Sequence, residues 1–163
     1  MNSVNEHLKK KTIFQKKKNH IPKWILVNAA GKTLGRLASE ISLLLRGKEI
    51  NFFTPHIDQG NFVVVLNANQ IFLSGKKEKQ KLYYRNSQRP GSLKIETFQQ
   101  LRNRIPSRVI EKAVKGMLPK GILGRIYYRR LYIYFNNTIK YKKEKAFSNQ
   151  KLNFIDNNIK INI

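Results

Sequence analysis

Hydrophobic residues recur along the chain at a helical spacing in three places. In the first, the apolar face comprises Leu34, Leu37, Ala38, Ile41, Leu44 and Leu45, and Arg46 and Gly47 then supply a C-terminal stop signal. In the second, Pro106 opens a helix whose apolar stripe is Val109, Ile110, Ala113, Val114 and Met117. The third predicts a short helix over residues 95–104, from Ile95, Phe98 and Leu101.

Short apolar runs between these stripes predict strands. The first covers residues 24–27, and "FVVVL" at 62–66 is a near-continuous apolar run, typical of a strand buried on both faces. Residues 71–75 and 131–135 predict two more short strands. Strands separated by helices predict an α/β fold: a three-layer α/β/α core with a small, largely parallel sheet of about four strands.

The remaining segments organise the chain into three parts. Residues 1–21 predict a basic flexible arm, 22–135 one core domain, and 136–163 a basic C-terminal tail without a clear core face. We expect the arm and the tail to be disordered in the free protein, because neither buries enough apolar surface to offset the entropy of ordering. Within the core, 75–94 predicts a loop or ribbon, and a bend is expected at Pro119, Gly121 and Gly124.

The charge of the chain narrows the classes of partner. The net charge is +24, from 33 Lys and Arg against 9 Asp and Glu. Repulsion among so many positive charges indicates a polyanionic partner that neutralises them. Nucleic acid is favoured over an anionic membrane surface as that partner. No apolar run approaches the roughly 20 residues that span a bilayer. The absence of cysteine excludes disulfides, zinc knuckles and thiol catalysis.

The tripeptide Gly31-Lys32-Thr33 matches the last three residues of the nucleotide-binding P-loop motif. That loop needs a glycine five positions before Gly31, where this chain has Leu26. No acidic residue closes the strand at 62–66 to hold a magnesium ion. The stretch therefore predicts a strand-to-helix turn capped by Thr33, and a nucleotide hydrolase is the weaker hypothesis.

Other catalytic or metal-binding patterns are equally weak. His56 and Asp58 are the nearest approach to a catalytic pair, but no nucleophile stands at a suitable spacing. Three histidines and no cysteine make a transition-metal site unfavourable. We expect no catalytic residue, no cofactor, no metal, no small-molecule substrate and no membrane partner.

Basic and aromatic residues instead predict RNA contacts in separated segments, a pattern that favours folded RNA over a DNA groove. The first set is Lys76, Lys77, Lys79, Lys81, Arg85 and Arg89, with Tyr83 and Tyr84 as rings for stacking on an unpaired base. Because neighbouring strand residues point to opposite faces, one of these two tyrosines is expected in the core. The second set is Lys115, Lys120, Arg125, Arg129 and Arg130, and three further candidates are Lys32, Arg36 and His56.

Five segments resemble, in order, those of large-subunit ribosomal protein L-thirteen of the bacterial type: "GKTLGRLASEI", "FTPHID", "LNANQIFLSGKK", "YYRNSQRPGSLKIETF" and "IEKAVKGMLPKGILGR". The resemblance spans roughly residues 22–135, and the fourth segment is most similar to cyanobacterial and plastid members. The family usually follows its last strand with a glycine and a tail containing His, Gln and Pro. Here "YFNNTIKYKKEKAFSNQ" replaces that tail, so no tail contacts are transferred.

The resemblance implies a non-catalytic ribosomal protein that binds and stabilises large-subunit rRNA, lies beside other large-subunit proteins and supports early subunit assembly and translation. A regulatory RNA-binding module that acts outside the ribosome is the alternative. Lys, Asn and Ile are abundant, which suits an A/T-rich genome, and no transit-peptide pattern is seen. We therefore expect a plastid (chloroplast) ribosome, with a bacterial cytoplasmic or mitochondrial matrix ribosome as alternatives.

Overall fold

The structure, a computed structural model, describes residues 20–136 and 153–154. Residues 1–19 of the predicted arm at 1–21 and most of the predicted tail therefore lie outside the described residues, as does the expectation of their disorder. The described elements are β1 (Trp24–Asn28), α1 (Leu34–Arg46), β2 (Phe62–Leu66), a 3-10 turn (Ala68–Gln70), α2 (Lys77–Gln80), β3 (Leu82–Arg85), β4 (Lys94–Thr97), α3 (Phe98–Arg104), α4 (Ser107–Met117), α5 (Ile122–Tyr128), β5 (Leu131–Ile133) and β6 (Asn153–Phe154).

Four strands form a parallel sheet in the order β5-β2-β1-β6. Trp24 pairs with Phe62 at the start of β1 and β2, and Val63 pairs with Leu131 of β5. A separate antiparallel pair, β3 and β4, lies outside this sheet. The predicted α/β class and its small, largely parallel sheet are confirmed.

Alternate residues of β1 and β2 are buried in two different hydrophobic clusters. One cluster contains Ile25, Val27, Val63 and Val65 together with the apolar faces of α1 and α4. The other contains Trp24, Leu26, Val64 and Leu66, against which Phe62, Tyr132 and Tyr134 pack. The central strands are therefore buried on both faces, as the continuous apolar run predicts.

The ends of α1 follow most of the predicted signals. Gly47 terminates the helix with φ of 69°, in the left-handed region that glycine adopts without strain. A Cβ at position 47 would lie 2.0 Å from the Gln59 carbonyl oxygen. Position 47 therefore requires glycine for a second reason, because the loop that contains Gln59 passes close to it. Thr33 occupies the N-cap position, but its side chain makes no capping hydrogen bond. The predicted side-chain cap is wrong because the turn is held by backbone hydrogen bonds instead.

Two other predicted elements differ from the structure. Residues 71–75 form no strand, since only an isolated bridge joins Phe72 to Thr33. The segment 95–104 is divided at Thr97, whose hydroxyl accepts a hydrogen bond from the Gln100 backbone while the Gln100 side chain accepts one from the Thr97 N–H. This capping box starts α3 at Phe98 and leaves Ile95 in β4.

The second half of the chain contains two elements that the sequence analysis did not predict. The expected bend after α4 includes a helix, α5, and β6 lies within the predicted tail. The ribbon predicted within 75–94 is present as the β3–β4 pair. The helix predicted from Pro106 is α4, with Val109, Ile110 and Val114 buried, although Met117 at its end is 44% exposed.

Candidate nucleic-acid interface

A groove lies where α4 ends and α5 begins. Its volume is about 510 Å³, and it is lined by Lys115, Leu118, Pro119, Lys120, Gly124, Arg125, Tyr128 and Arg129. We call it the basic groove, because four of these residues are cations and none is acidic. All four cationic residues are exposed. The structure thus brings together four of the five residues that the sequence analysis grouped around the Pro-Gly bend.

Close packing between α5 and the preceding connection shapes the groove. A Cβ on Gly124 would lie 1.7 Å from the Pro119 carbonyl oxygen, so only glycine permits this approach. Leu118 is buried and fixes the end of α4. The lining of the groove therefore combines apolar residues with four exposed cations.

Tyr128 also lines the basic groove and was not identified from the sequence. The Lys115 ammonium lies 5.8 Å from the centroid of its ring, within the range of a cation–π contact. Burial raises the pKa of Tyr128, nearby Glu111 raises it further and Arg108 opposes the shift. The phenol therefore stays neutral at physiological pH and adds no negative charge to the groove.

Arg130, the fifth residue of that predicted set, does not line the basic groove. Its guanidinium donates hydrogen bonds to the Asp58 carboxylate and to the Gly60 carbonyl oxygen. It also lies 5.4 Å from the centroid of the Phe62 ring. The guanidinium of Arg130 therefore stabilises the fold, and its predicted contact with RNA stays a prediction.

The other predicted set surrounds α2 and β3. Lys76, Lys77, Lys79 and Lys81 are exposed, and Glu78 between them pairs with Arg102 at 3.4 Å. Lys76 and Lys79 line a second cavity of about 440 Å³. Arg85 and Arg89 are exposed on β3 and on the hairpin that follows it. These cations are accessible to a polyanion.

Tyr83 and Tyr84 point in opposite directions, as strand alternation predicts. Tyr83 is 9% exposed and its ring is flanked by the ammonium groups of Lys81 at 5.6 Å and Lys112 at 5.0 Å. Burial raises the pKa of Tyr83. The ring of Tyr83 belongs to the core, and its predicted stacking on RNA stays a prediction. Tyr84 is 59% exposed and remains available to a partner.

Three backbone amides of the turn around Gly31 are already hydrogen-bonded within the fold. The N–H of Gly31 donates to the Gln70 carbonyl at 3.1 Å, that of Lys32 to Ala29 at 3.2 Å, and that of Leu34 to Phe72 at 3.0 Å. A phosphate loop needs such amides directed at the ligand. The rejection of a nucleotide site is therefore supported by geometry as well as by spacing.

The remaining candidates lie in separate places. Arg36 is exposed on the first turn of α1, Lys32 is half-buried before it, and His56 is exposed in the loop that precedes β2. Asp58 is buried and paired with Arg130, so it does not form a catalytic pair with His56. No group of three or more metal-binding side chains occurs among the described residues. None of the helices in this part of the chain is long and apolar enough to cross a membrane.

The fold and the groove define the class of the protein: a small α/β protein that presents a basic surface groove. The family model described as ribosomal protein L13 matches residues 22–140. Similar proteins named large ribosomal subunit protein uL13 occur in Gloeothece citriformis (50% identical, covering 75% of this chain and 81% of the relative), in Synechococcus (58%, covering 68% and 74%) and in Geobacillus thermodenitrificans (52%, covering 76% and 86%).

The chain belongs to the ribosomal protein L13 family. It is a structural ribosomal protein and not an enzyme, and the resemblance found in its sequence is confirmed.

Proposed function

We propose that the chain binds large-subunit rRNA directly and that the basic groove is a principal contact. The observation that supports this proposal is the convergence of Lys115, Lys120, Arg125 and Arg129 on one concave surface with no acidic residue in its lining. Proteins that share half or more of their aligned residues with this chain are named as large-subunit proteins, and this similarity supports the large subunit as its location. The proposed role includes stabilising rRNA during early assembly of the subunit.

The groove suits a phosphate backbone for electrostatic reasons. Cations that neutralise phosphates release condensed counterions, which drives binding and makes it dependent on salt. The ammonium groups of Lys115 and Lys120 act as point charges, whereas the guanidinium groups of Arg125 and Arg129 can bind phosphate oxygens with two parallel hydrogen bonds. A groove with both types of cation therefore contributes affinity and also orients the strand.

The exposed cations around α2 provide a second proposed contact. Lys76, Lys77, Lys79 and Lys81 belong to a different segment from the basic groove, and Arg36 of α1 to a third. Cations presented by several elements favour an RNA that wraps around the protein over a single straight duplex. We therefore propose that this family member stabilises folded rRNA from more than one side.

Charge-neutralising variants of the groove test the proposal. The Lys115→Gln/Lys120→Gln variant is compared with Lys23→Gln/Lys48→Gln, which removes the same charge from exposed positions outside the groove. Binding to large-subunit rRNA transcribed in vitro is measured at several salt concentrations. We expect the groove variant to bind more weakly, with a log–log salt slope shallower by about 0.7–0.9 per lost contact.

The matched pair makes the outcome decisive. If both variants weaken binding equally, net charge alone governs affinity and the groove has no special role. If neither changes the salt slope, the groove does not contact RNA. Adding Arg125→Gln and Arg129→Gln to the groove variant should deepen the effect, because all four rim charges are then absent.

Residence on the ribosome and its compartment are tested separately. The protein should remain with large subunits through a high-salt wash, whereas a regulatory RNA-binding module acting elsewhere should be released. We propose a plastid ribosome, supported by the cyanobacterial relatives and by the abundance of Lys, Asn and Ile. Identification of the protein in large subunits from isolated plastids would test this location, and its recovery only from another ribosome would contradict it.

A further inference from the structure

The lining of the basic groove has two halves of different chemistry. One half is its four cations, and the other is the surface of Leu118, Pro119, Gly124 and Tyr128. Phosphate groups account for the cations but give no role to the second half, because a phosphate pressed on apolar carbon loses hydration without gaining a hydrogen bond. A ligand that fills the groove therefore has an anionic part and an apolar part.

The ring of Tyr128 is the aromatic surface of the groove. The ammonium of Lys115 lies over the ring at 5.8 Å from its centroid, and both residues line the groove. A cation takes this position because the face of an aromatic ring is partly negative. Nucleobases stack on the same kind of face, whatever their identity, because every base has a π-face of its own. Lys115 is exposed, so its flexible side chain can move from the ring to a phosphate when a base arrives.

The size and stiffness of the groove suit one nucleotide. Its volume of about 510 Å³ lies within the range of about 300–1,000 Å³ that is typical of small-molecule pockets. The Leu118 N–H donates to the Val114 carbonyl at 3.0 Å, and the missing Cβ of Gly124 lets α5 pack on the Pro119 carbonyl. A site that is formed before binding loses less entropy when its ligand enters.

Paired RNA does not supply both parts of such a ligand. In an A-form duplex the bases are stacked inside, the major groove is too deep and narrow for side chains to read, and phosphates and riboses face outwards. Nucleotides in loops and bulges instead turn their bases out, where these stack on aromatic side chains. A projecting base also fits a concave surface, whereas a duplex is convex. The groove is therefore complementary to an unpaired nucleotide.

We propose that the basic groove binds one unpaired nucleotide of a folded RNA, with the base stacked on Tyr128 and the flanking phosphates on the four cations. This inference rests on the proposed function and deepens it, because it states which form of RNA the groove selects. The cations attract any RNA, and the ring supplies the preference for an unpaired base. Stacking is thereby assigned to Tyr128, whereas the sequence analysis predicted it for Tyr84.

Two hairpin RNAs and the full-length protein test the inference. One hairpin carries a single bulged 2-aminopurine, and in the other a uridine opposite this base pairs with it. Affinities are measured at a salt concentration at which the paired hairpin binds weakly. We expect the wild type to prefer the bulged hairpin about tenfold, which is roughly 1.4 kcal/mol and lies within the range for stacking one base on an aromatic side chain. Stacking should also quench the fluorescence of the bulged base.

Three variants assign the preference to one ring. Tyr128→Leu removes the ring but keeps an apolar side chain at this half-buried position. It should lose the preference and the quenching but keep the salt slope, because no charge is removed. Tyr128→Phe keeps the ring and should retain both effects. Tyr84→Leu is the matched control, since it removes a ring that is 59% exposed on β3, outside the groove, and should also retain both.

The outcomes separate the inference from the proposed function. Equal binding of the two hairpins by the wild type, or a preference that survives in Tyr128→Leu, would overturn the inference. The groove would remain a phosphate contact if Lys115→Gln/Lys120→Gln still flattened the salt slope. Loss of the preference in Tyr84→Leu alone would move the stacking to β3 and overturn the assignment. Binding of free 2-aminopurine riboside monophosphate as tightly as the bulged hairpin would indicate a site for free nucleotides and would overturn it too.

A second measurement uses assembled large subunits. The photoreactive residue p-benzoylphenylalanine, which keeps a ring, replaces Tyr128 in the full-length protein, and salt-washed subunits are irradiated. We expect a crosslink to an unpaired nucleotide of the rRNA. Crosslinks to paired nucleotides alone, or none at position 128 while a matched probe at Arg125 reaches rRNA, would overturn the inference and leave the groove as an rRNA contact. If neither probe reaches rRNA, the proposed role of the groove and the inference fail together.

Discussion

The guanidinium of Arg130 donates to the carboxylate of Asp58, and this buried pair joins two distant parts of the chain. Arg130 immediately precedes β5, whereas Asp58 lies in the loop before β2. The same loop is fixed further because the Gly60 N–H donates to the other Asp58 oxygen at 3.3 Å and the Gly60 carbonyl accepts from Arg130. The pair therefore helps to set where β5 enters the sheet.

Arg130→Met should be strongly destabilising, because it leaves the Asp58 carboxylate buried without its cation. Removing one member of a buried pair costs about 3–5 kcal/mol of unfolding free energy. Urea denaturation measures the loss. The matched control is Arg129→Met, whose exposed side chain in the groove should matter for RNA affinity but not for stability. Equal stability of the two variants would show that the ion pair contributes little to the fold.

Tyr83→Phe should be neutral or stabilising, whereas Tyr83→Ala should cost about 3–5 kcal/mol. The Tyr83 hydroxyl is buried and has no hydrogen-bond partner among the described residues, so its removal relieves a desolvation penalty. The ring itself packs in the core, and the ammonium groups of Lys81 and Lys112 contact it. Thermal melts of both variants test the prediction, and a large loss for Tyr83→Phe would show that the hydroxyl is bonded in solution.

Alkaline pH should also destabilise the protein through this residue. Burial raises the pKa of Tyr83 above the ordinary tyrosine value of 10.0, so the folded state favours the neutral phenol. The stabilising contribution is present below the pKa of the unfolded chain and is lost as pH rises through the higher, folded pKa. Tyr83→Phe should therefore lose less stability than the wild type between neutral pH and pH about 11. Identical pH profiles would contradict this assignment.

Gly124→Ala should disrupt the basic groove. The added Cβ would meet the Pro119 carbonyl oxygen at 1.7 Å, so α5 must move away from the end of α4. We expect both lower stability and weaker RNA binding. Gly116→Ala in α4 is the matched control, because a Cβ there meets nothing within 4 Å and alanine favours a helix by about 1 kcal/mol. If the two variants behave alike, close packing at Gly124 does not shape the groove.

Local patterns in the sequence determined much of this protein. The apolar periodicities of α1 and α4 and the continuous apolar run of β2 predict those elements, because each pattern needs only neighbouring residues to be buried. Strand alternation also predicts that only one of Tyr83 and Tyr84 lies in the core. Four basic residues near the Pro-Gly bend are close in sequence, so their convergence in the basic groove follows from a short connection.

Tertiary structure decided what depends on distant partners. Arg130 belongs to a basic cluster in the sequence, but in the structure its guanidinium is paired with Asp58. The two residues are 72 positions apart, so no local sequence pattern predicts this ion pair. Strand β6 has only two residues and acquires its identity by pairing with β1. Likewise, Ile95 fits a helical stripe, but pairing with Tyr84 draws it into a strand. In each case a long-range hydrogen bond or ion pair outweighs a weak local preference, and such contacts exist only once the chain has folded.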